Sequence, residues 1–457
     1  MRNWYLNLFF SLIFFSHVNA QTPNISGNVE ISMSTGQITC DFIVSNIPDL
    51  GKDYQVLLNK GFNIKAIKDA NNSTLDYDGF YNGKTKGEGI SYIPLLKDST
   101  YSNPKKLHIT YTGAFPIYTD TLNFIDFKGL IAFNGKTLRA ADQSKWYPII
   151  YDAKRDQLLE QVTYNITVKT APEVKIYING DLPKDGPIAK FSSQKPIAPL
   201  LFVGNYKVQE TANALFLNTN MDKRQLMIFE ENVAAIKSYY NSVLDLPYLA
   251  KNIFIEHQPV EKYKQGKSWA FATYPSIAFA GMSLSSMIDE KENKLKNHDD
   301  YPFLAHELAH YYFGNILRPN STLNWFFLES TAEYLSFKAS EAKYGKTFTA
   351  KYLKDKVDGM KNFKAVSLST VDDMNKINGN YRYHYGPLLL RGLEQAIGEK
   401  RMFIFLKDCL VAKDELTDYA FFKRHALKSG ITEQEWVSFE KDFIKTENAT
   451  AKIILAN

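Results

Sequence analysis

Apolar residues follow one period in the first half of the chain and another in the second. From residue 28 to about 210, short segments such as "QITCDFIV", "YQVLLN", "KLHITYTG", "GLIAFNG", "QVTYNITV" and "VKIYING" alternate apolar with polar positions or are rich in β-branched residues. Gly, Asn, Asp or Pro bound each of them, which predicts strands separated by turns and one long all-β domain over 21–211. The stretch "DLPKDGPIAKFSSQKPIAPL", residues 181–200, concentrates Pro, Gly and Ser, and a last pair of strands around "LFVGNYKVQ" follows it. The domain boundary is therefore expected near residue 212. Beyond it, "DKRQLMIFEENVAAIKSYYNSVL" spaces its apolar residues by three and four, the period of a helix. "KNIFIEH" and "SWAFATYPSIAFAGM" then read as strands, and after the polar "DEKENKLKNHDD" helices dominate. Residues 212–457 are thus expected to form an α+β domain, strands first and helices after.

The first twenty residues form a separate kind of segment. Arg2 precedes an apolar stretch from Leu8 to Phe15, and Val18 and Ala20 give a small-x-small ending, the layout of a cleaved signal peptide over 1–20. The apolar stretch is shorter than the roughly 20 residues that a membrane-spanning helix needs. No later segment approaches 18 unbroken apolar residues, so export to the periplasm or the medium is expected, with no obligate membrane insertion. Lys plus Arg exceed Asp plus Glu by only 5 over 457 residues, without a basic run, which argues against nucleic acid as a partner. Cys40 and Cys409 are the only cysteines and lie far apart, so two free buried thiols are expected.

One ten-residue stretch changes this picture from architecture to chemistry. "AHELAHYYFG", 305–314, sits on an expected helix with Asp300 as its N-cap, Pro302 in its first turn and Gly314 as its stop. At about 100° per residue, His306 and His310 project from one face a turn apart, close enough to bind one metal ion. Glu307 is rotated away from them, so it can approach a metal-bound water without being a ligand. A solvated helix with ordinary His/Glu contacts is the competing reading, and the neighbours count against it. Phe303, Leu304, Ala305, Leu308, Ala309, Tyr311 and Tyr312 surround the motif, and buried His and Glu require partners. A catalytic zinc has three protein ligands and one open position. The next expected helix, starting near Ser321 or Thr322 and running to Gly345, offers Glu329 as the third ligand of one Zn²⁺. Glu333, one turn on, can accept a hydrogen bond from the outer nitrogen of a histidine ligand.

HExxH, eighteen residues and then a Glu inside "WFFLESTAEY" resembles the M1 family of zinc aminopeptidases, whose stretch reads HExxH and then W-x-N-E-G-x-A. "YHYGPLLLRGLEQAIG", 383–398, is similar to that family's Y-x-K-G segment, and the similarity implies that Tyr383, three residues before Gly386, stabilises the transition state. "LNKGFNIKAI", "KLHITYTG" and "KWYPIIYD" are similar in order and spacing to the family's saddle-shaped β domain. The resemblance implies a multidomain α+β protein: an all-β saddle-like domain followed by a thermolysin-like gluzincin domain with a helical C-terminal part. It also implies hydrolysis of a peptide or protein substrate by a zinc-activated water, with Glu307 as general base. The chain reads as a divergent and short member, with Leu328 and Ser330 flanking Glu329. The family's G-x-M-E-N, whose Glu holds the substrate's free amine, is missing. Aligning Gly266 puts Trp269 in place of that Glu, aligning Gly281 puts Ser283 there, and "EKEN" at 290–293 falls too close to His306. Three functions stay open: an aminopeptidase with another anchor, a metallopeptidase without a free-N-terminus requirement, and a non-catalytic zinc-stabilised peptide-binding module. His384, His257 and Arg391 are expected to be structural.

Overall fold

The computed structural model describes residues 22–83, 88–117, 126–249, 251–257, 268–296, 299–360, 363–412 and 415–446. The expected export segment, 1–20, lies outside them, as does Gly266.

The first half is strand after strand, as the period-two pattern predicts. Eleven strands form one curled sheet, from the edge strand Gln157–Leu159 to the opposite edge, Ile188–Ile197. Asn24–Ser32 and Val162–Lys169 run parallel, while the other paired strands of this sheet are antiparallel. Alternation decides which face is buried: Gln37–Ser45 turns Ile38, Cys40, Phe42 and Val44 inward, and Val162–Lys169 does the same with Val162, Tyr164, Ile166 and Val168. A five-stranded sheet, including Thr137–Ala140, Lys175–Ile178 and Leu201–Gly204, carries the chain toward the second half.

A further five-stranded sheet opens the second half, in the order Val208–Glu210, Ala214–Leu217, Asn252–His257, Ser276–Ala280, Trp269–Thr273. Val208–Glu210, whose pattern groups it with the first half, pairs here with Ala214–Leu217. Its three residues are too few for alternation to reveal which sheet they join, because that choice rests on a partner further along the chain. Among the described residues, the last strand, Trp269–Thr273, pairs on one side only and leaves its other edge open. This sheet packs on its predecessor through Tyr177, Leu200 and Phe202 against Leu215, Ile255 and Phe271. Asn179 Nδ2 donates to Thr273 O and Tyr274 O across the same boundary.

Helices build the rest: α1 (Lys223–Leu244), α2 (Asp300–Ala309), α3 (Thr331–Tyr344), α4 (Lys346–Asp358), α5 (Gly386–Ile397), α6 (Glu399–Val411), α7 (Tyr419–Lys428) and α8 (Glu433–Phe439). Asp222 caps α1 in a reciprocal box with Gln225, and the helix buries Ile228, Phe229, Val233, Ile236, Tyr240 and Leu244, the stripe its spacing predicts. Tyr240 Oη donates to Ala305 O and Ser336 Oγ to Pro302 O, which fixes α2 between α1 and α3. Among the described residues, no helix is long and apolar enough to cross a membrane.

Three expected boundaries are corrected. The N-cap of α2 is Asp299, with Asp300 as its first helical residue, and no side chain caps it. The helix stops at Ala309 rather than Gly314, because the chain turns where Tyr311 and Tyr312 N–H bond back to Leu308 O and Ala309 O. The helix expected from Ser321 to Gly345 is not one regular element. Ser321 Oγ accepts from Leu323 N–H at its start, and Phe326–Ser330 forms a π-helical segment before α3 takes over. A second π-helical segment, Tyr381–Tyr385, leads into α5.

Candidate metal centre

His306 lies on the last turn of α2 and His310 just past its end, with ring centroids 4.8 Å apart and rings at 87°. The π-helical segment Phe326–Ser330 brings Glu329 over them: its Oε2 is 3.2 Å from His306 Nε2 and 3.7 Å from His310 Nε2. One ligand atom from each of the three residues falls within a 4.8 Å group. Ligand atoms at the corners of a tetrahedron about 2.0 to 2.1 Å from a metal stand about 3.3 Å apart, a spacing that the two Glu329 contacts approach.

The outer nitrogens settle which ring atoms face the centre. His310 Nδ1 lies 3.1 Å from Phe313 O, a carbonyl that can only accept, so Nδ1 carries the hydrogen and the Nε2 lone pair points inward. His306 Nδ1 donates to Glu333 Oε2 at 2.9 Å, with the same result. Glu333 is held in turn from α4, where Tyr352 Oη donates to Oε1 at 2.7 Å and Lys356 Nζ donates to the same oxygen. Glu333 thus links the His306 ring to α4. Tyr352 and Lys356 were not legible in the sequence, since nothing local ties α4 to α2.

Burial and close charges shift every titratable group of the cluster. Burial disfavours a charged imidazole at both histidines. At His306, hydrogen bonds to Glu329 and Glu333 override it and push the pKa up to about 10, whereas at His310 burial prevails and lowers it to about 4. Burial alone would raise both Glu329 and Glu333. His310 and His306 instead hold Glu329 down to about 2, and Lys356 and His306 hold Glu333 well below the usual carboxylate range. Two buried carboxylates thus converge on the imidazoles, and a divalent cation held there would compensate their charge.

Glu307 points into the same space without joining the ligands. It is 5% exposed, burial pushes its pKa up to about 7, and its Oε2 makes no hydrogen bond among the described residues. A buried carboxylate oxygen left without a partner is costly unless a water or substrate proton meets it. Tyr383, on the second π-helical segment, donates its hydroxyl to Glu329 Oε2 at 3.2 Å and is 38% exposed, so it faces both the ligands and the open cleft.

These side chains line one cleft of about 880 Å³, walled by the open strand Trp269–Thr273, α2, α4 and loops of the first domain. The strand brings Trp269 into the cleft but no carboxylate. Ser283 lies elsewhere, with its hydroxyl on Glu256, and Asn293 accepts from Arg224 at the surface, so neither alignment of the missing motif supplies an acid. His384 turns away to pack against Gly359, His257 is enclosed by Phe202, Trp269 and Phe271, and Arg391 lies over Phe337.

Residues 229–440, which hold every one of these ligands and both candidate catalytic groups, match the peptidase family M1 domain. Those residues are similar to an M1 peptidase domain. Around them the whole fold is similar to solved structures from yeast. Native yeast LTA4 hydrolase matches with a TM-score of 0.63 at 14% identity, over 92% of this chain and 66% of that one. Its complex with bestatin gives 0.63 at 15% identity over the same shares, and native leukotriene A4 hydrolase from Saccharomyces cerevisiae gives 0.64 at 14%, over 93% and 68%. At such identities the likeness is one of fold: a β-rich domain of curled sheet followed by the M1 domain and its helices. The chain spans about two thirds of the length of these proteins.

Proposed function

We propose that the protein is an exported zinc metallopeptidase that hydrolyses peptide bonds of peptide or protein substrates. The observation that carries this reading is the convergence of His306 Nε2, His310 Nε2 and Glu329 Oε2 beside a buried Glu307 whose Oε2 has no hydrogen-bond partner among the described residues. His306, His310 and Glu329 would hold Zn²⁺, which when bound supplies Lewis-acid polarisation of a carbonyl and acidifies water.

The chain's own groups do the rest. Glu307, with its pKa near neutrality, takes the proton of the attacking water and passes it to the leaving nitrogen. Tyr383 can swing its hydroxyl from Glu329 to the oxyanion that forms when the carbonyl is attacked. A pure binding module needs neither group, which speaks against the non-catalytic reading. The likeness to an M1 aminopeptidase and the acid-free open strand pull in opposite directions on the free N-terminus. The export half of the proposal rests on the n-region, apolar stretch and small-x-small ending of residues 1–20.

The test is metal content of purified residues 21–457 together with cleavage of fluorogenic peptides that differ only in N-terminal acetylation. Stoichiometric zinc with turnover of either peptide supports the reading. Zinc without cleavage of any peptide would leave the binding module.

A further inference from the structure

Two charged side chains of the first domain reach into the cleft. Lys128 Nζ donates to Ala272 O of the open strand at 3.0 Å and lies 3.2 Å from Asp142 Oδ1, which also accepts from Thr273 Oγ1 at 3.1 Å. Lys128, Asp142, Ala272 and Thr273 line the same cavity as His306, Glu307, His310 and Glu329. The Lys128 ammonium also lies 5.7 Å from the centroid of the Phe271 ring. A backbone carbonyl at a sheet edge, a carboxylate 7% exposed and an aromatic ring together make a receptor for an ammonium ion. Here the protein fills that receptor with its own lysine.

We propose that Lys128 is a specificity-determining residue that occupies the place a substrate's terminal amine would take, so that the cleft favours peptides whose N-terminus is blocked or lies further upstream. The proposal rests on the metallopeptidase reading above. An extended substrate adds to an open strand through backbone hydrogen bonds, and Ala272 O is no longer available to an incoming amine. Local charge points the same way. Lys145 Nζ donates to the backbone O of Asp142 at 3.3 Å, so two ammonium groups already surround that residue. Burial would raise the Asp142 carboxyl, and these two lysines instead hold it below the usual range. Glu160 offsets the charge of Lys145. Around Asp142 the two lysines already face the carboxylates of Asp142 and Glu160, so a third ammonium placed there would meet like charge in a partly desolvated space. Lys128 lies in the other domain, far from the zinc motif in sequence, so no local pattern pointed to it.

The experiment compares wild type, Lys128→Ala, Lys128→Met, Asp142→Asn and the Lys128→Ala/Asp142→Asn double variant, all zinc-loaded. Phenylalanine hydroxamate and its N-acetyl form are titrated calorimetrically, and free and acetylated fluorogenic peptides are cleaved in parallel. Wild type is expected to accept the acetylated partner of each pair as well as the free one or better. Removing the lysine exposes Asp142 and should shift the free-to-acetylated ratio toward the free amine by about tenfold or more, the size of a charge-assisted hydrogen bond. The double variant should lose that shift. An unchanged ratio in Lys128→Ala and Lys128→Met, with only a lowered Tm, would make the lysine a strut between domains and overturn the proposal. Selective loss of free-amine binding in Asp142→Asn alone would overturn it as well, since the carboxylate would then be the substrate's anchor. A hydroxamate shift without turnover of any peptide would retain the lysine's role and remove the peptidase reading.

Discussion

Tyr383 gives its hydroxyl hydrogen to Glu329 Oε2, the carboxylate oxygen that also faces both imidazoles, at 3.2 Å from His306 Nε2 and 3.7 Å from His310 Nε2. A single atom therefore ties the candidate oxyanion donor to the candidate ligands, and the tyrosine hydroxyl has an acceptor to rest on between turnovers. Tyr383→Phe should lower kcat by about 10²–10³, the loss seen when one oxyanion donor is removed, with little change in KM. Zinc content measured beside the kinetics should stay at wild-type level. Loss of the metal would instead assign the tyrosine to holding Glu329.

Glu307→Gln keeps the size of the side chain and its ability to hydrogen-bond while removing the base. Turnover should fall by about 10²–10⁴, the usual worth of a general acid–base group, with the metal retained. A fully active variant would show that some other group moves the proton.

Support from α4 should be measurable as metal affinity. Glu333→Ala removes the acceptor of His306 Nδ1–H and the partner of Tyr352 and Lys356 together. Zinc affinity should drop about 10- to 100-fold in competition with a chelator, as is common when a group orienting a ligand is removed. Lys356→Met, which leaves Glu333 in place, should cost less.

Gly386 begins α5 at the point where the two π-helical segments meet. A β-carbon there would lie 2.0 Å from Ser330 Oγ and 2.5 Å from its Cβ, and Ser330 is the residue after the ligand Glu329. Gly386→Ala should force the segments apart and destabilise the fold by roughly 1–3 kcal/mol, as overpacking does, with a fall in zinc affinity. Ser330 Oγ makes no hydrogen bond among the described residues, so a Ser330→Gly change in the same chain frees the space without breaking one and should recover much of both. Failure of that rescue would show that backbone strain, not the serine, opposes the alanine.

Away from the site, acid sensitivity has an identifiable contributor. Asp408 accepts from Lys428 Nζ at 2.6 Å and His425 Nδ1 at 2.5 Å. Burial would raise its carboxyl, but these two hydrogen bonds lower it. A depressed folded-state pKa means stability that is present above the unfolded value of about 3.9 and is lost as pH falls through the folded one. Asp408→Asn should therefore cost about 1–3 kcal/mol at pH 7. The difference in Tm from wild type should shrink below about pH 4. A penalty independent of pH would trace it to packing.

The parts of the site that were legible in the sequence are those whose geometry is local. His306 and Glu307 lie on the last turn of α2 and His310 caps it with helical dihedrals, so spacing alone sets their relative directions, whereas Glu329 and Glu333 were read from one helix that the structure divides into a π-helical segment and α3. Tyr383 came from resemblance, since nothing in its own surroundings sets it apart from Tyr381 or Tyr385. The π-helical segments were hidden because one extra residue per turn barely alters an apolar pattern, yet they aim Glu329 and Tyr383. Lys128 and Asp142 against Ala272 and Thr273, and Tyr352 and Lys356 against Glu333, are contacts between distant stretches that no periodicity encodes. The same holds for Val208–Glu210, whose partner strand decided its sheet.

Each domain core encloses one free thiol: Cys40 under the curled sheet and Cys409 on the inner face of α6. The chain has no other cysteine. Nature has in effect installed one silent clock per domain, and an alkylating reagent would start each only when its own core opens. Following the two labels by mass would time the opening of the β domain and of the helical half separately, in the unmodified protein and within one sample.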